Sequence, residues 1–351
     1  MCSFGRNIIL ESYGYSHDAF MQMVLKGIPA GIKVDFALIA RDLQRRRPVH
    51  KYDSPRIEPD NYDIISGVTK DGYTDGHDIV VRIANKTFND EEYSYTESFY
   101  RPSHGDYTWE KKFGEPIPCG GGNMSGRETV VRVMAGALAK MFITQRLVGK
   151  NDVVFNTWVY SIGNVISHDY SDTLSDEMVQ LLCYVRDMGD SVGGSVKCVI
   201  KNLPAGLGEL PFAKFHAMMS YAMISIPAAR SFEIGRGLEA TRMYGSEHND
   251  CYGFDESANR IRPMKNDAGG VLGGITSGED VIMTIGFKPI SSIRRTQITA
   301  DKKGKMSELT VKGSHDVCCV PRAVVVVEAM AALVVADFLA YTSFAGCKKE
   351  G

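Results

Sequence analysis

The chain has 351 residues, 44% of them hydrophobic, which is enough to bury one large core or two ordinary domains. Its 40 Lys and Arg residues nearly balance 42 Asp and Glu residues, so the formal net charge is −2. This balance excludes a protein that binds polyanions through its overall charge. Any anion-binding site must come from local clusters of Arg and Lys.

The eight cysteines form no CxxC pair and no metal-ligand spacing. Cys318 and Cys319 are adjacent, and neighbouring residues rarely reach disulfide geometry. The first ten residues, MCSFGRNIIL, lack the long apolar run of a signal peptide. We therefore expect a cytoplasmic protein with reduced thiols, no structural disulfide and no metal site.

Apolar periodicity predicts strands and helices along the chain. The predicted strands cover residues 79–84, 152–161, 195–200, 281–287 and 309–311. Helices are predicted after Ser125 from Arg127, near 211–225, and after Pro321. Gly136 inside the first helix indicates close packing against another element. The polar region 51–78 is expected to be a long surface excursion.

The apolar segment 321–345 is long enough to suggest a membrane span, but it contains Glu328 and Asp337. A carboxylate at mid-bilayer costs about 2.5–3.5 kcal/mol or more, so a helix buried in a protein core is favoured. The two carboxylates are nine residues apart and face opposite sides of the helix. At least one should enter a polar site or a buried ion pair.

Strands and helices mix without a regular βαβ alternation, which favours an α+β fold over doubly wound α/β. Nothing in the composition marks a linker. We predict one domain over residues 1–351.

A basic cluster follows a helical stretch and contains Arg45, Arg46, Arg47, Lys51 and Arg56. Arg guanidinium groups match carboxylate and phosphate oxygens, so a polyanionic small molecule is one ligand class for it. A solvated surface run is the alternative. Nucleic-acid binding would need interleaved aromatic residues and a broader basic face, and the sequence shows neither.

Two histidines lie in short turn-rich segments beside a carboxylate: His17 next to Asp18, and His104 two residues before Asp106. A neighbouring carboxylate favours the imidazolium form, which suits general-acid catalysis. A purely structural role is the alternative for each. The glycine-rich segments 120–122 and 269–274 permit close backbone approach to a ligand, but neither matches a dinucleotide fingerprint or a P-loop.

Several strings resemble the chorismate synthase family. RPSHGDYTWEKKFG (101–114) resembles RPGHADYTxxxKYG, and GGGNMSGRETVVRVMAGALAK (120–140) resembles GGGxxSARETxxRVAAGAIAK. LPAGLGELPF, SIPAARSFEIGRG, NDAGGVLGGITSG, KPISSI and SHDVCCVPRAVVVVEAMAALVVADFL follow in the family's order. The likeness spans essentially the whole chain.

The resemblance implies a β-α-β sandwich with two antiparallel sheets, assembled as a homotetramer. It implies a lyase of the shikimate pathway that converts 5-enolpyruvylshikimate 3-phosphate to chorismate and phosphate by a 1,4-elimination. The cofactor it implies is reduced FMN, and NADPH could serve as an external reductant. No nucleic acid or membrane partner is implied.

The resemblance also assigns roles by position. His17 would protonate the leaving phosphate and His104 the reduced flavin, while Ser16, Ser125 and Asp337 would assist proton relay. We expect His17, His104 and Asp337 to share one cavity. The substrate-binding positions are Arg46, Lys51, Arg127 and Arg322. The FMN-binding positions are Asn123, Met124, Ser125, Pro227, Ala228, Gly273, Lys288, Pro289, Ile290, Ser291, Ser292 and Ser314.

The chain departs from the family pattern in places. GYSHD replaces GESHG, so a carboxylate is lost at Tyr15 and gained at Asp18. Cys119 and Ser314 stand where the family has arginine, and Asn123 where it often has a basic residue. Each lost charge-assisted contact costs about 1.5–3 kcal/mol. One alternative is therefore a degenerate relative that folds but binds FMN weakly and turns over poorly. A flavin reductase is another, although no nicotinamide fingerprint appears.

Overall fold

The structure is a computed structural model that describes residues 2–54, 56–86, 90–148, 152–257, 259–312 and 316–342. The helices are α1 (Phe36–Arg46), α2 (Asp106–Phe113), α3 (Thr129–Arg146), α4 (Asp176–Asp187), α5 (Phe215–Ile224), α6 (Gly245–His248) and α7 (Val320–Tyr341). The strands are β1 (Cys2–Phe4), β2 (Ile9–Tyr13), β3 (Phe20–Lys26), β4 (Tyr62–Ser66), β5 (Ile79–Ala84), β6 (Val154–Ile162), β7 (Val165–Ile166), β8 (Gly194–Lys201), β9 (Ala229–Ile234), β10 (Tyr252–Asp255), β11 (Arg260–Pro263), β12 (Val271–Leu272), β13 (Ile275–Thr276), β14 (Val281–Phe287), β15 (Gln297–Ala300) and β16 (Met306–Leu309).

Two five-stranded antiparallel sheets dominate the fold. The first has the order β1-β2-β3-β5-β4 and the second β7-β6-β8-β14-β9. Strand β14 alternates buried and half-buried residues along its whole length, as expected of a strand with one face on the core. Three short two-stranded hairpins, β10-β11, β12-β13 and β15-β16, complete the strands. The predicted α+β class is confirmed.

The helices α3 and α7 pack against each other and lie between the two large sheets. Helix α3 contacts β2 and β3 of the first sheet, and α7 contacts β6 and β8 of the second. Helix α7 carries buried apolar side chains on all of its faces, which is typical of a helix at the centre of a core. Burying one Val or Leu side chain of this kind contributes about 1.5–3 kcal/mol.

The contact between α3 and α7 is closest at Gly136. A β-carbon added there would lie 2.3 Å from the Ala329 β-carbon and 2.5 Å from its α-carbon. The close packing predicted from Gly136 is therefore confirmed. Glycine is needed at this position because the two helix backbones approach too closely for a side chain.

A charged cluster closes the junction of α1, α3 and α7. Glu328 accepts hydrogen bonds from Arg45 Nη2 at 2.8 Å and from Lys140 Nζ at 2.7 Å. Lys140 also contacts Asp42, which α1 buries. Although burial raises the pKa of Glu328, Lys140 and Arg45 outweigh it and hold that pKa below its ordinary value. The buried ion pair expected for the α7 carboxylates is present at Glu328.

Helix α7 is long and apolar enough to cross a membrane by length and composition alone. However, 89% of its most apolar window is buried inside the protein. The expectation of a core helix is confirmed.

Most predicted elements are present, with shifted ends. The strands 79–84 and 281–287 match β5 and β14, and the helices after Ser125 and Pro321 match α3 and α7. The strand predicted at 309–311 is wrong, since β16 ends at Leu309. The surface excursion predicted for 51–78 is also wrong in part. Glu58 and Asp60 are buried there, and residues 62–66 form β4.

We expect Gly136→Ala to lower the free energy of unfolding by about 1–3 kcal/mol, the usual cost of overpacking a core. Gly245→Ala is the matched control, because a β-carbon at Gly245 would meet no atom within 4 Å. Urea denaturation of both variants provides the measurement. Equal stabilities would show that the α3–α7 contact can relax.

Candidate active site

A single cavity of about 670 Å³ gathers most of the predicted site residues. Its walls come from the end of α1, the loops before α2 and α3, the loop after β14, and the start of α7. The volume is within the usual range for small-molecule pockets. The predicted site residues that line it are His17, Arg46, His104, Met124, Ser125, Arg127, Pro227, Ala228, Lys288, Ile290, Ser291, Ser292 and Arg322.

Other predicted positions do not line this cavity. Ser16 is buried just behind the cavity wall and donates to the Gly120 carbonyl at 3.3 Å. Lys51 is exposed. Asn123, Gly273 and Pro289 are absent from the lining. Ser314 lies outside the described residues.

His17 is carried by a tight turn after β2. The Asp18 backbone N–H donates to the Tyr15 carbonyl at 3.1 Å, and the Asp18 carboxylate accepts from the Tyr15 N–H at 2.7 Å. The carboxylate that this chain has gained at Asp18 thus closes the turn. Gly120, at φ 71°, comes so close that a β-carbon there would lie 2.4 Å from His17 Nε2. Only glycine fits beneath this imidazole.

His104 is held from both ring nitrogens. Its Nδ1 lies 2.9 Å from the Pro102 carbonyl, and its Nε2 lies 2.9 Å from the Ser292 hydroxyl. A carbonyl only accepts, so Nδ1 carries the proton in the neutral ring and Nε2 accepts from Ser292. The Ser103 carbonyl also accepts from the Ser291 hydroxyl, which ties the loop of His104 to the loop after β14.

The expected imidazolium at His104 does not form in the unliganded cavity. Burial is the largest cause, and together with the nearby Arg101 it lowers the pKa of His104 to about 4. Asp106 favours the charged ring, but its carboxylate is engaged by the Arg101 guanidinium at 2.6 and 2.8 Å. The neighbouring carboxylate inferred from the sequence is therefore already neutralised, and the ring stays neutral at pH 7.

We expect the His104 resonance of the unliganded protein to titrate near pH 4, because burial and Arg101 both oppose protonation. The ring is then neutral at every pH well above 4. Two-dimensional NMR of the imidazole nitrogens, assigned with His104→Gln, measures this directly. An unliganded midpoint above pH 6 contradicts it.

Arg46 and Arg127 reach the cavity wall and share one buried counterion. Asp60, whose side chain is 0% exposed, accepts from Arg46 Nη2 at 2.8 and 3.0 Å and also from Arg127 Nη1. Burial opposes the charge of Asp60, yet Arg46 and Arg127 together hold its pKa below the ordinary value. Burial lowers the pKa of Arg46 to about 10, so its guanidinium group remains charged at pH 7.

Arg322 completes the cationic wall from the first turn of α7. Its Nη1 donates to both oxygens of Asp316 at 2.8 and 2.9 Å, and its Nε donates to the Arg46 carbonyl at 2.9 Å. Asp316 itself lines the cavity and also accepts from the Ser54 N–H at 2.8 Å. This carboxylate was missed from the sequence, although it lies in the quoted SHDVCC string.

Further charged residues at the cavity were missed. Lys86, Arg101 and Glu58 line it, and so does Arg56, which the sequence analysis placed in the basic cluster. Arg56 donates to Glu58 at 2.9 Å and to the Ser16 carbonyl at 3.0 Å. Arg101 lies in a quoted motif, whereas no sequence signal singled out Lys86 or Glu58.

The loop after β14 supplies the opposite wall. Lys288 Nζ contacts the Ser291 hydroxyl, and both residues line the cavity with Ser292. Burial, followed by the charge of Arg230, lowers the pKa of Lys288. An anion bound beside this ammonium group would oppose both effects.

Asp337 does not reach the cavity, which makes its predicted relay role wrong in geometry. Its Oδ1 accepts from the backbone N–H groups of Arg6, Asn7 and Ile8 at 3.0, 2.6 and 2.9 Å. Three donors on one carboxylate oxygen fix the turn between β1 and β2 to the end of α7. The arrangement indicates a structural role.

We expect Asp337→Asn to lower the free energy of unfolding by about 1–3 kcal/mol, since the amide oxygen still accepts but the three hydrogen bonds lose the carboxylate charge. Turnover should stay within about threefold, because the side chain lies outside the cavity. Asp301→Asn, which alters a carboxylate bound to two exposed loop N–H groups, is the control and should change stability by less than about 0.5 kcal/mol. A large loss of turnover at unchanged stability would restore the relay role.

The residues that line the cavity already indicate a class of protein. Two imidazoles line a cavity together with five arginines and two lysines, which suits an enzyme acting on a small anionic substrate. Among the described residues, no group of three or more His, Cys, Asp or Glu side chains is placed to hold a metal ion.

Comparisons with known proteins identify the class more closely. The sequence profile of chorismate synthase matches residues 8–340. The chorismate synthase of Christiangramia forsetii is 40% identical over 96% of each chain, and that of Prochlorococcus marinus strain MIT 9515 is 38% identical over 96% of each. A crystal structure of chorismate synthase matches with a TM-score of 0.71 and 26% identity, covering 95% of this chain and 92% of the other. The chain belongs to the chorismate synthase family of lyases.

Proposed function

We propose that this cavity converts 5-enolpyruvylshikimate 3-phosphate to chorismate and phosphate by a 1,4-elimination that requires reduced FMN. The observation that carries the proposal is the meeting of His17 and His104 with Arg46, Arg127 and Arg322 around one cavity. The family membership supports the same chemistry.

The cationic wall matches the charge of the ligands. The substrate carries two carboxylates and a phosphate, and FMN adds a second phosphate. Arginine forks bind such groups with two parallel hydrogen bonds. Arg46 Nε is buried and lacks a hydrogen-bond partner among the described residues, which suits an acceptor supplied by a ligand.

The two histidines supply and hold protons. His17 lies in the wall with the arginines, where a phosphate leaving group would accept a proton from it. His104 is neutral at pH 7 and would gain its proton when ligands bind. Burial is the largest cause of its low pKa, and bound anions would offset Arg101 and Lys288, the cations that lower it further.

The loop after β14 and the segment before α3 would hold FMN. Lys288, Ser291 and Ser292 offer an ammonium group and two hydroxyls for a phosphate or ring oxygens. Met124, Ser125, Pro227 and Ala228 line the neighbouring wall. Reduced FMN, when bound, supplies an electron-rich ring to a reaction without net redox change. External reduction, with NADPH as one electron source, would provide it.

We further propose a cytoplasmic homotetramer. The β10-β11 hairpin supports association, because Tyr252, Phe254 and Ile261 are 66%, 58% and 70% exposed. Clustered exposed apolar side chains of this size mark contact surfaces.

We expect His17→Ala and His104→Ala each to lower turnover by about 10²–10⁴-fold, the usual contribution of a positioned acid or base. The assay mixes enzyme, substrate and dithionite-reduced FMN without oxygen, and follows phosphate release and chorismate absorbance. His77→Ala, which removes an imidazole 84% exposed and outside the cavity, should leave the rate unchanged.

The same assay separates the alternatives. FMN binding without turnover by the unaltered protein would favour a degenerate relative, in line with Cys119, Asn123 and Ser314 at the altered positions. Oxidation of NADPH by the protein alone would favour a reductase. Unaltered rates in both histidine variants would show that neither His17 nor His104 acts as the proposed acid.

A further inference from the structure

Asn85 is a buried polar residue that belongs to none of the assigned site positions. It directly follows β5 and does not line the cavity, and its exposed fraction is only 7%. A buried amide must have partners for both its oxygen and its nitrogen. Those partners join two separate parts of the cavity wall.

The amide oxygen of Asn85 faces Arg127. Arg127 Nε donates to Asn85 Oδ1 at 2.7 Å, Arg127 Nη2 donates to the Ala84 carbonyl at 3.0 Å, and Arg127 Nη1 contacts Asp60. The guanidinium group is therefore oriented through all three of its nitrogens. Asp60 leads from Arg127 to Arg46, and Asn85 leads from Arg127 to the turn that carries His17.

The amide nitrogen of Asn85 faces the turn that carries His17. Nδ2 donates to the Tyr15 carbonyl at 3.1 Å and to the Asp18 carbonyl at 2.8 Å. The oxygen and nitrogen cannot exchange places, because Arg127 only donates and the two carbonyls only accept. These two carbonyls flank His17 in the sequence, so the amide group sets the position of the turn.

We infer that Asn85 is a positioning residue that couples anion binding at Arg127 to the placement of His17. A shift of Arg127 toward a bound anion moves its Nε, and the rigid planar amide of Asn85 transmits the movement to both carbonyls of the turn. The turn has further attachments, from Arg56 to the Ser16 carbonyl and from the Ser16 hydroxyl to the Gly120 carbonyl, so loss of the Asn85 amide displaces the turn without releasing it. The turnover part of the test rests on the proposed function, whereas the binding part does not.

The test uses Asn85→Ala and Asn85→Asp in the full chain, with inorganic phosphate as the probe. In the unaltered protein, phosphate should shift the His17 imidazole resonance, which is assigned by its loss in His17→Ala. In Asn85→Ala the shift should fall at least about threefold while phosphate affinity changes less than about threefold, because Arg127 keeps Asp60 and Ala84. Calorimetry gives the affinity and NMR gives the shift.

Turnover provides the second readout. Both variants should lower kcat by about 10–100-fold with KM nearly unchanged, as expected when a reacting group is displaced by about 1 Å. In Asn85→Asp the new carboxylate still accepts from Arg127 but repels the two carbonyls, so its kcat should be the lower of the two. Asn202→Asp is the matched control, since Asn202 donates to the Asp152 carbonyl at 2.8 Å outside the cavity and should leave kcat unchanged.

Several outcomes would overturn the inference. One is a phosphate-induced His17 shift of unaltered size in Asn85→Ala. Another is a loss of kcat that only parallels a lower unfolding temperature, which would make Asn85 an ordinary fold contact. If the unaltered protein forms no chorismate, the proposed function fails, but the coupling between phosphate and His17 can still be measured.

Discussion

The site depends on keeping several guanidinium groups together in one wall without a ligand. Arg46, Arg127 and Arg322 repel one another, and burial, followed by the charges of Arg127 and Arg322, lowers the pKa of Arg46. Two carboxylates offset this repulsion, Asp60 between the first two arginines and Asp316 at the third. Breaking a buried ion pair by removing one partner typically costs about 3–5 kcal/mol. The two carboxylates therefore hold the three arginines in place around the cavity.

The framework behind this wall is the pair of central helices. Arg127 lies just before α3 and Arg322 in the first turn of α7, so both arginines stand where the two packed helices begin. The contact at Gly136 fixes α3 against α7, and the cluster around Glu328 adds α1, the helix that ends at Arg46. Rigid packing of three helices sets the spacing of three cations. This is how a site on element ends keeps its geometry without a ligand.

Periodicity and motif strings predicted the parts of the structure that are local in sequence. The apolar faces of α3 and α7 and the alternation of β14 are readable from a window of about 11–18 residues. His17, His104, Arg127 and Arg322 were found because they lie inside the quoted strings, and Arg46 was found in the basic cluster. The region 51–78 was misread as surface because its residues are polar. The burial of Asp60 comes from Arg127, which is 67 residues away and invisible to any local window.

Asp337 and Asp316 show a second limit of prediction from local sequence. Both are carboxylates close to or within α7, and composition alone cannot tell which one faces the cavity. The backbone N–H groups of the turn after β1 bind Asp337, whereas the Ser54 N–H and Arg322 hold Asp316 at the cavity. The partners come from distant segments in both cases. Only the folded chain decides which carboxylate is structural and which is at the site.

Burial keeps the His104 ring neutral, and the nearby cations Arg101 and Lys288 add to its effect. Burial is the largest cause of the fall of the His104 pKa from 6.5 to about 4, and the two cations contribute the part that a bound anion could offset. An arriving dianion reverses the sign of the local potential and can restore the proton affinity of the ring. The proton of His104 would therefore enter the site together with the ligands.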